Sequence, residues 1–280
     1  MSRVVLVLGG GGMKGLTHVG AWRALLEAGV VIDEIIGTSI GGLVGAMIAA
    51  GEGPEALAAR ALALERTDIV ALNRWALLLN GIRQPSVFHD VPYREYIARL
   101  LPVRSFDELR LPFSTNAVDL GSGEMVWFGA GGRMDVPLED AVYATCALPL
   151  FFPPAAIDDR LFVDGGVLDT LPLTRAAERG ATRIIAIDAG SEGSAEAASI
   201  LEDGLVGIHH RVYQLMATQW KRSLLEAWSG PPVTMIRPRL EGCGTFDFGQ
   251  TPYFLEEGYR ATREALEADG YTFDVREREA

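Results

Sequence analysis

Gly37-Thr38-Ser39-Ile40-Gly41 is the stretch on which the reading of this chain turns. Ahead of it, Val31-Ile32-Asp33-Glu34-Ile35-Ile36 reads as a buried strand. Behind it, Gly42-Leu43-Val44-Gly45-Ala46-Met47-Ile48-Ala49-Ala50 reads as a helix, with Leu43/Met47 and Val44/Ile48 at i,i+4 on its packing face. Glycines two residues either side of a serine permit a sharp strand-to-helix turn that pushes the hydroxyl clear of the backbone, where it can attack. Strand, G-x-S-x-G and helix in that order predict a nucleophilic serine at the end of an interior strand.

Working outward, strand-like runs alternate with helical patterns. The runs are Val4–Leu8, Ile32–Ile36, Phe113–Leu120, Met125–Phe128, Leu161–Val163, Ile184–Asp188 and Val233–Arg237. Several are near-continuous Val/Ile/Leu, as strands covered on both faces must be. Leu16–Ala28 is helical, with Val19, Trp22 and Leu26 on one side and Arg23/Glu27 at i,i+4. Pro54 opens another helix running to about Glu65, and Leu205–Trp228 reads as one long helix. These patterns predict an α/β fold, a mostly parallel central sheet sandwiched by helices. Two regions break the rhythm. Asp68–Phe88 is apolar without strand alternation and reads as a core helix or a flap over the site, and the small, acidic Gly190–Gly204 reads as a loop.

The 280 residues are 49% hydrophobic and 22% charged, an ordinary globular balance, with a formal net charge of −12. That charge, unrelieved by any Lys/Arg run, argues against nucleic acid as a partner and leaves only local patches for transient contact with a membrane surface. Two cysteines, Cys146 and Cys243, make neither a disulfide framework nor a metal site, and no His/Cys/Asp cluster has ligand spacing. No metal or cofactor is expected. Val4–Leu8 is too short for a signal-peptide core, and no stretch has the length of clean apolar sequence that a membrane span needs. The expected location is cytoplasmic.

Two further motifs carry chemistry. Gly9-Gly10-Gly11-Gly12-Met13-Lys14-Gly15 follows the first strand and precedes the first helix. Converging backbone N–H groups there can cradle a phosphate or the oxyanion of a tetrahedral intermediate. The embedded G-x-G-x-x-G (Gly10, Gly12, Gly15) also suggests a dinucleotide site, but Asp33 and Glu34 lie at the entry of the second strand, and its exit carries Ser39 where a ribose-binding acid belongs. Val163-Asp164-Gly165-Gly166 places an aspartate at a strand end, as a base or as a turn residue bonding its own backbone. Asp119 and Asp188 are rival bases at other strand ends. Of the histidines His18, His89, His209 and His210, only the last two follow in Ser-Asp-His order, and both fall inside the long predicted helix. A carboxylate is left as the base for the serine.

The three motifs in this order resemble the patatin-like phospholipase family. Gly10-Gly11-Gly12-Met13-Lys14-Gly15 is similar to its oxyanion segment, Gly37–Gly41 to its nucleophile elbow and Asp164-Gly165-Gly166 to its D-G-[GA] base motif. Phe113–Gly123, Ala144-Thr145-Cys146-Ala147-Leu148-Pro149 to Phe152-Pro153-Pro154, Asp164–Gly180 and Gly258-Tyr259-Arg260 extend the likeness over nearly the whole chain. The resemblance implies one patatin-like domain over residues 1–280, with a core of about 4–190 completed by 205–270, built as a Ser-Asp dyad hydrolase fold. It implies Ser39 as nucleophile, Asp164 as general base and an oxyanion hole from Gly10, Gly11 and Gly12 with Lys14, supported by Gly15, Gly37, Gly41, Gly165 and Gly166. Lys14 stands where the family often has arginine, keeping the charge without the planar fork. The implied substrates are phospholipids or lysophospholipids cleaved through an acyl-enzyme. A soluble carboxylesterase or thioesterase on the same dyad, or a non-catalytic binding protein on the same fold, are the alternatives.

Overall fold

A computed structural model describes residues 2–72, 83–190, 202 and 204–273. In chain order the elements are β1 (Val4–Leu8), α1 (Thr17–Glu27), β2 (Glu34–Gly37), α2 (Ile40–Ala49), α3 (Pro54–Leu62), α4 (Arg66–Ile69), α5 (Val91–Leu100), β3 (Phe113–Asp119), β4 (Met125–Gly129), α6 (Leu138–Cys146), β5 (Ala155–Ile157), β6 (Arg160–Asp164), α7 (Leu173–Glu178), β7 (Arg183–Ile187), α8 (Gly204–Glu226), β8 (Val233–Ile236) and α9 (Thr251–Ala268).

The strands form one mixed sheet. The run β3-β2-β1-β7-β8 is parallel throughout, whereas β4 and β6 pair with β3, and β5 with β6, antiparallel. Both faces are covered. Leu6, Leu8, Ile35, Ile185 and Ile187 pack into one core with α1 and α2, while the alternate residues Val5, Val7, Ile36, Ile184 and Ala186 pack into a second with α7. This period-2 split between two apolar layers is why the interior strands read as continuous hydrophobic runs. Leu43, Val44, Met47 and Ile48 of α2 are all buried, each contributing about 1.5–3 kcal/mol.

The register around β3 sets up the site. β4 takes Ser114 to Val118 along one edge, so β2 and β6 share the other. Gly37 at the end of β2 pairs with Thr115, and Asp164 at the end of β6 pairs with Ala117. Two strands of opposite direction therefore end facing one another about 7 Å apart along a single edge.

The strand expected at Ile32–Ile36 starts two residues later and ends one later, at Glu34–Gly37. Val31 is solvent-exposed, and Asp33 accepts the Val4 N–H at 2.7 Å, which makes this segment the entry turn. Glu34, weighed above as a ribose ligand, is fully buried and ion-paired with Arg3 and, at 2.7 Å, Arg179. The helix from Pro54 stops at Leu62, because Glu65 caps a separate turn, α4. Residues 73–82, within the apolar Asp68–Phe88 segment, and 191–201 with 203, within the Gly190–Gly204 loop, lie outside the described residues.

α9 crosses α1 at close range. A side chain on Gly20 would run into the Leu255 carbonyl, and one on Gly258 into the carbonyl of Thr17. Gly258→Val is expected to destabilise the protein by more than about 2 kcal/mol in urea unfolding, since the obstruction is backbone and cannot rotate away.

Candidate active site

Ser39 caps the N-terminus of α2 at φ 55° and ψ −127°, a conformation that L residues avoid and that costs about 1–3 kcal/mol. The surroundings hold it there. Thr38 donates its N–H to the Leu8 carbonyl at 3.0 Å and its hydroxyl to that of Asp169 at 3.2 Å. The Thr115 hydroxyl donates to Gly37 O at 2.7 Å, and Ser39 N–H donates to Thr145 Oγ1 at 2.9 Å. Gly41 is required by space: a side chain there would strike the Leu8 carbonyl. The result is a half-exposed hydroxyl on a rigid turn.

Asp164 is 1% exposed. Its neighbour on β3, Ala117, belongs to the core that contains α2, so the carboxylate enters that layer beside the elbow. There the Ser39 hydroxyl lies close enough to favour the charged carboxylate. Its Oδ1 also accepts Gly166 N–H at 2.7 Å, so the turn bond common to Asp-Gly is present alongside the contact with serine. Burial disfavours the charge and pushes the pKa up to about 7, against the pull of those two contacts.

The rival aspartates are engaged elsewhere. Asp119 accepts Gly121 N–H and Arg160 Nε, both at 2.8 Å, and these hold its carboxyl below the usual range. Asp188 forms a buried ion pair with Lys221 at 2.6 Å. Neither borders the cavity that contains Ser39 and Asp164.

The glycine loop forms the opposite wall. Gly10 comes closest to the serine, since a Cβ on it would sit 3.4 Å from that of Ser39. Its N–H is committed to Thr170 O at 2.9 Å, so Gly10 supplies room rather than a donor. The N–H groups of Gly11 and Gly12 have no acceptor among the described residues, nor has that of Ile40, the first residue of α2. These three amides, all on cavity-lining residues, can receive developing negative charge. Gly15 packs against the Ile40 side chain with no room for its own, and Gly165 against Asn116, which ties both supporting turns to the elbow. His18 steadies the loop from beneath, bonding Gly9 O at 2.8 Å; burial lowers its pKa to about 4 and keeps it neutral. Lys14 is buried in the cavity wall near Cys243, Lys221 and Asp188, and desolvation lowers its pKa to about 8.

The cavity encloses about 970 Å³ including its open mouth. Met13, Ile69, Leu148, Phe152 and Phe246 make it apolar, and α8 adds His210, Tyr213, Gln214 and Lys221. Sequence reasoning missed Tyr213, Gln214 and Lys221, and weighed His210 only as a triad histidine. Their spacing places them on one helix face, and that periodicity was the available signal. His210, one of the two histidines in triad order, reaches the cavity, but its Nε2 bonds Thr245 Oγ1 at 2.7 Å and Gln214 at 3.0 Å. The Tyr213 hydroxyl abuts Gly166.

Two substitutions probe the elbow. Ser39→Gly is expected to be more stable than Ser39→Ala by about 1 kcal/mol, because only glycine relieves the positive φ; paired thermal melts measure the difference. Thr145→Val leaves the Ser39 N–H without its acceptor and is expected to cost about 1–3 kcal/mol, with a fall in kcat, measured by urea unfolding and ester turnover.

Comparison with known proteins places this geometry in context. The family profile described as Patatin-like phospholipase matches residues 6–177. An uncharacterized NTE family protein of Mycobacterium bovis is 37% identical over 191 residues, covering 68% of this chain and 50% of that protein. Human patatin-like phospholipase domain-containing protein 6 is 30% identical over 252 residues, 85% of this chain but 16% of the human protein. The chain thus spans half or less of the length of these relatives. Among solved structures, VipD from Legionella pneumophila shares the fold at TM-score 0.51 and 14% identity, over 95% of this chain and 67% of that one. The chain belongs to the patatin-like phospholipase family.

Proposed function

We propose that the protein is a lipid acyl hydrolase that cleaves carboxylic esters of phospholipids or lysophospholipids with a Ser39–Asp164 dyad. The observation that carries this reading is a serine on a strained elbow sharing an apolar cavity with a buried carboxylate, beside backbone amides with no acceptor among the described residues.

In this mechanism Asp164 takes the Ser39 proton as Oγ attacks the ester carbonyl. The oxyanion is received by the N–H groups of Gly11 and Gly12, with Ile40 as a third donor from the start of α2, whose dipole favours the charge. As the tetrahedral intermediate collapses, Asp164 returns the proton to the leaving alcohol. The acyl group stays on Ser39 until water, deprotonated by the same carboxylate, attacks it, and Asp164 then returns that proton to Ser39 Oγ as the acid leaves. An aspartate in water, with its pKa near 3.9, is a feeble base at neutral pH. Burial to a pKa of about 7 supports Asp164 in that role, since a base poised near the working pH combines availability with driving force. The apolar wall suits an acyl chain. Among the described residues no helix is long and apolar enough to cross a membrane, so a lipid substrate would be met at its surface.

Ser39 is expected to react with a fluorophosphonate probe, with labelling lost in Ser39→Ala and ester turnover lost in both Ser39→Ala and Asp164→Asn. Retained turnover in a folded Asp164→Asn protein would overturn the dyad. The rate kcat/KM is expected to rise through about pH 7 to a plateau as Asp164 ionises. Stability runs the other way. The folded chain keeps this proton up to about pH 7 and the unfolded chain releases it near 4, so burying Asp164 costs stability increasingly as pH rises between those values. Asp164→Asn is therefore expected to melt higher than the wild type at pH 8 and close to it at pH 4; equal melting at both would mean the carboxylate is not buried as described.

A further inference from the structure

α8 has two unlike faces. His210, Tyr213, Gln214, Ala217, Thr218 and Lys221 line the cavity. Leu205, Ile208, Val212, Leu215, Met216 and Trp220 point the other way and are exposed, Leu205 by 79%, Met216 by 68% and Trp220 by 59%. At about 100° per residue these six fall within one arc roughly opposite the cavity-lining set. Six large apolar side chains in one row on a 23-residue helix form a contiguous patch of the kind that marks a contact surface, whereas single exposed apolar residues need no explanation.

The charges on the helix say what the patch meets. Away from the cavity, the basic residues of α8 are Arg211 and Arg222, and its acid is Glu226 at the last position; Lys221 is buried in the cavity wall and paired with Asp188. Arg211 and Arg222 lie about three turns apart on the same flank of the apolar row. An apolar row with basic residues along its flank is the pattern of a helix that lies in a lipid interface, its apolar face among the acyl chains and its cations at anionic headgroups.

We propose that the outer face of α8 docks the protein onto an anionic phospholipid bilayer, with the opposite face of the same helix holding the catalytic cavity against the lipid layer. This inference rests on the lipid-ester reading for its purpose, though not for the docking itself. A lipid substrate lifted from the layer would then pass the helix that walls its binding site.

The test uses the full chain and vesicles of phosphatidylcholine with and without phosphatidylglycerol, read by co-sedimentation. Wild type and Ser39→Ala are expected to bind the phosphatidylglycerol vesicles equally, and the fluorescence difference between wild type and Trp220→Phe to shift to the blue on binding. The double variant Met216→Glu/Trp220→Glu is expected to lose at least about tenfold in binding and in vesicle-lipid hydrolysis, as removal of two inserted apolar side chains demands. It should keep the wild-type melting temperature and rate on a short soluble ester, since neither residue lines the cavity. Arg211→Gln/Arg222→Gln is expected to weaken binding to the anionic vesicles alone. Absence of wild-type binding, equal binding by the Met216/Trp220 variant, or a dimer in solution that this variant dissociates without any vesicle binding would each overturn the proposal. Vesicle binding by Ser39→Ala together with no lipid turnover by the wild type would support the docking face and remove the lipid hydrolase reading instead.

Discussion

The long edge of β3 is the constraint on which the site depends. β4 occupies its far side, so the near side must serve β2 and β6 in succession, one parallel and one antiparallel. Their ends meet between Thr115 and Ala117, and from those ends the chain leaves as the Ser39 elbow and the Asp164 turn. Two residues 125 positions apart in sequence are brought together by sheet register, with no loop free to move them apart. A one-residue slip of β6 would turn Asp164 to the other face of the sheet and out of reach of the serine.

Two costs are concentrated at this point, and rigid neighbours sustain both. The positive φ of Ser39 persists because Gly37 and Gly41 let backbone approach backbone where no side chain fits, and because Thr38, Thr115 and Thr145 each fix a polar group of the turn. The buried carboxylate of Asp164 is held by the Gly166 N–H beside the Ser39 hydroxyl, with no ion pair to it among the described residues, in contrast to Glu34, Asp119 and Asp188, which each hold an arginine or lysine. That contrast distinguishes a carboxylate kept near neutrality from carboxylates that anchor structure. An ion pair would stabilise Asp164 as an anion and lower its basicity.

Most of the sheet was legible in the sequence because interior strands must be apolar on both faces, which leaves a run that needs no partner to recognise. β5 was not legible: Ala155–Ile157 is short, and its middle residue is exposed. The entry to β2 was misread because Val31 and Ile32 are β-branched, while the constraint that makes them a turn is the bond from Val4 to Asp33 across the sheet. The elbow and the glycine loop were visible because sharp turns and close backbone approaches demand glycine at fixed offsets. From the residues alone Asp164 was visible as one aspartate among three, and only the family resemblance singled it out. What separates it from Asp119 and Asp188 is the identity of the neighbours, Arg160 and Lys221 for the others, and such pairings across 33 or more residues leave no local trace. The donor role assigned to Gly10 fell to a similar long-range bond, with Thr170.

The division of labour along the chain follows from the same geometry. Ser39, Asp164 and the loop amides all lie within residues 6–177, the part matched by the family profile. His210, Tyr213, Gln214, Lys221, Thr245 and Phe246, which complete the cavity, lie beyond it. Chemistry tied to sheet register tolerates little change, since each of its atoms is fixed from several sides. A wall supplied by one face of a helix can change residue by residue without disturbing register; its polar anchors among the described residues include the Lys221–Asp188 pair at one end and the His210–Thr245 bond nearer the other. Variation in the shape of the cavity is therefore carried most readily by α8 and the Thr245–Phe246 turn.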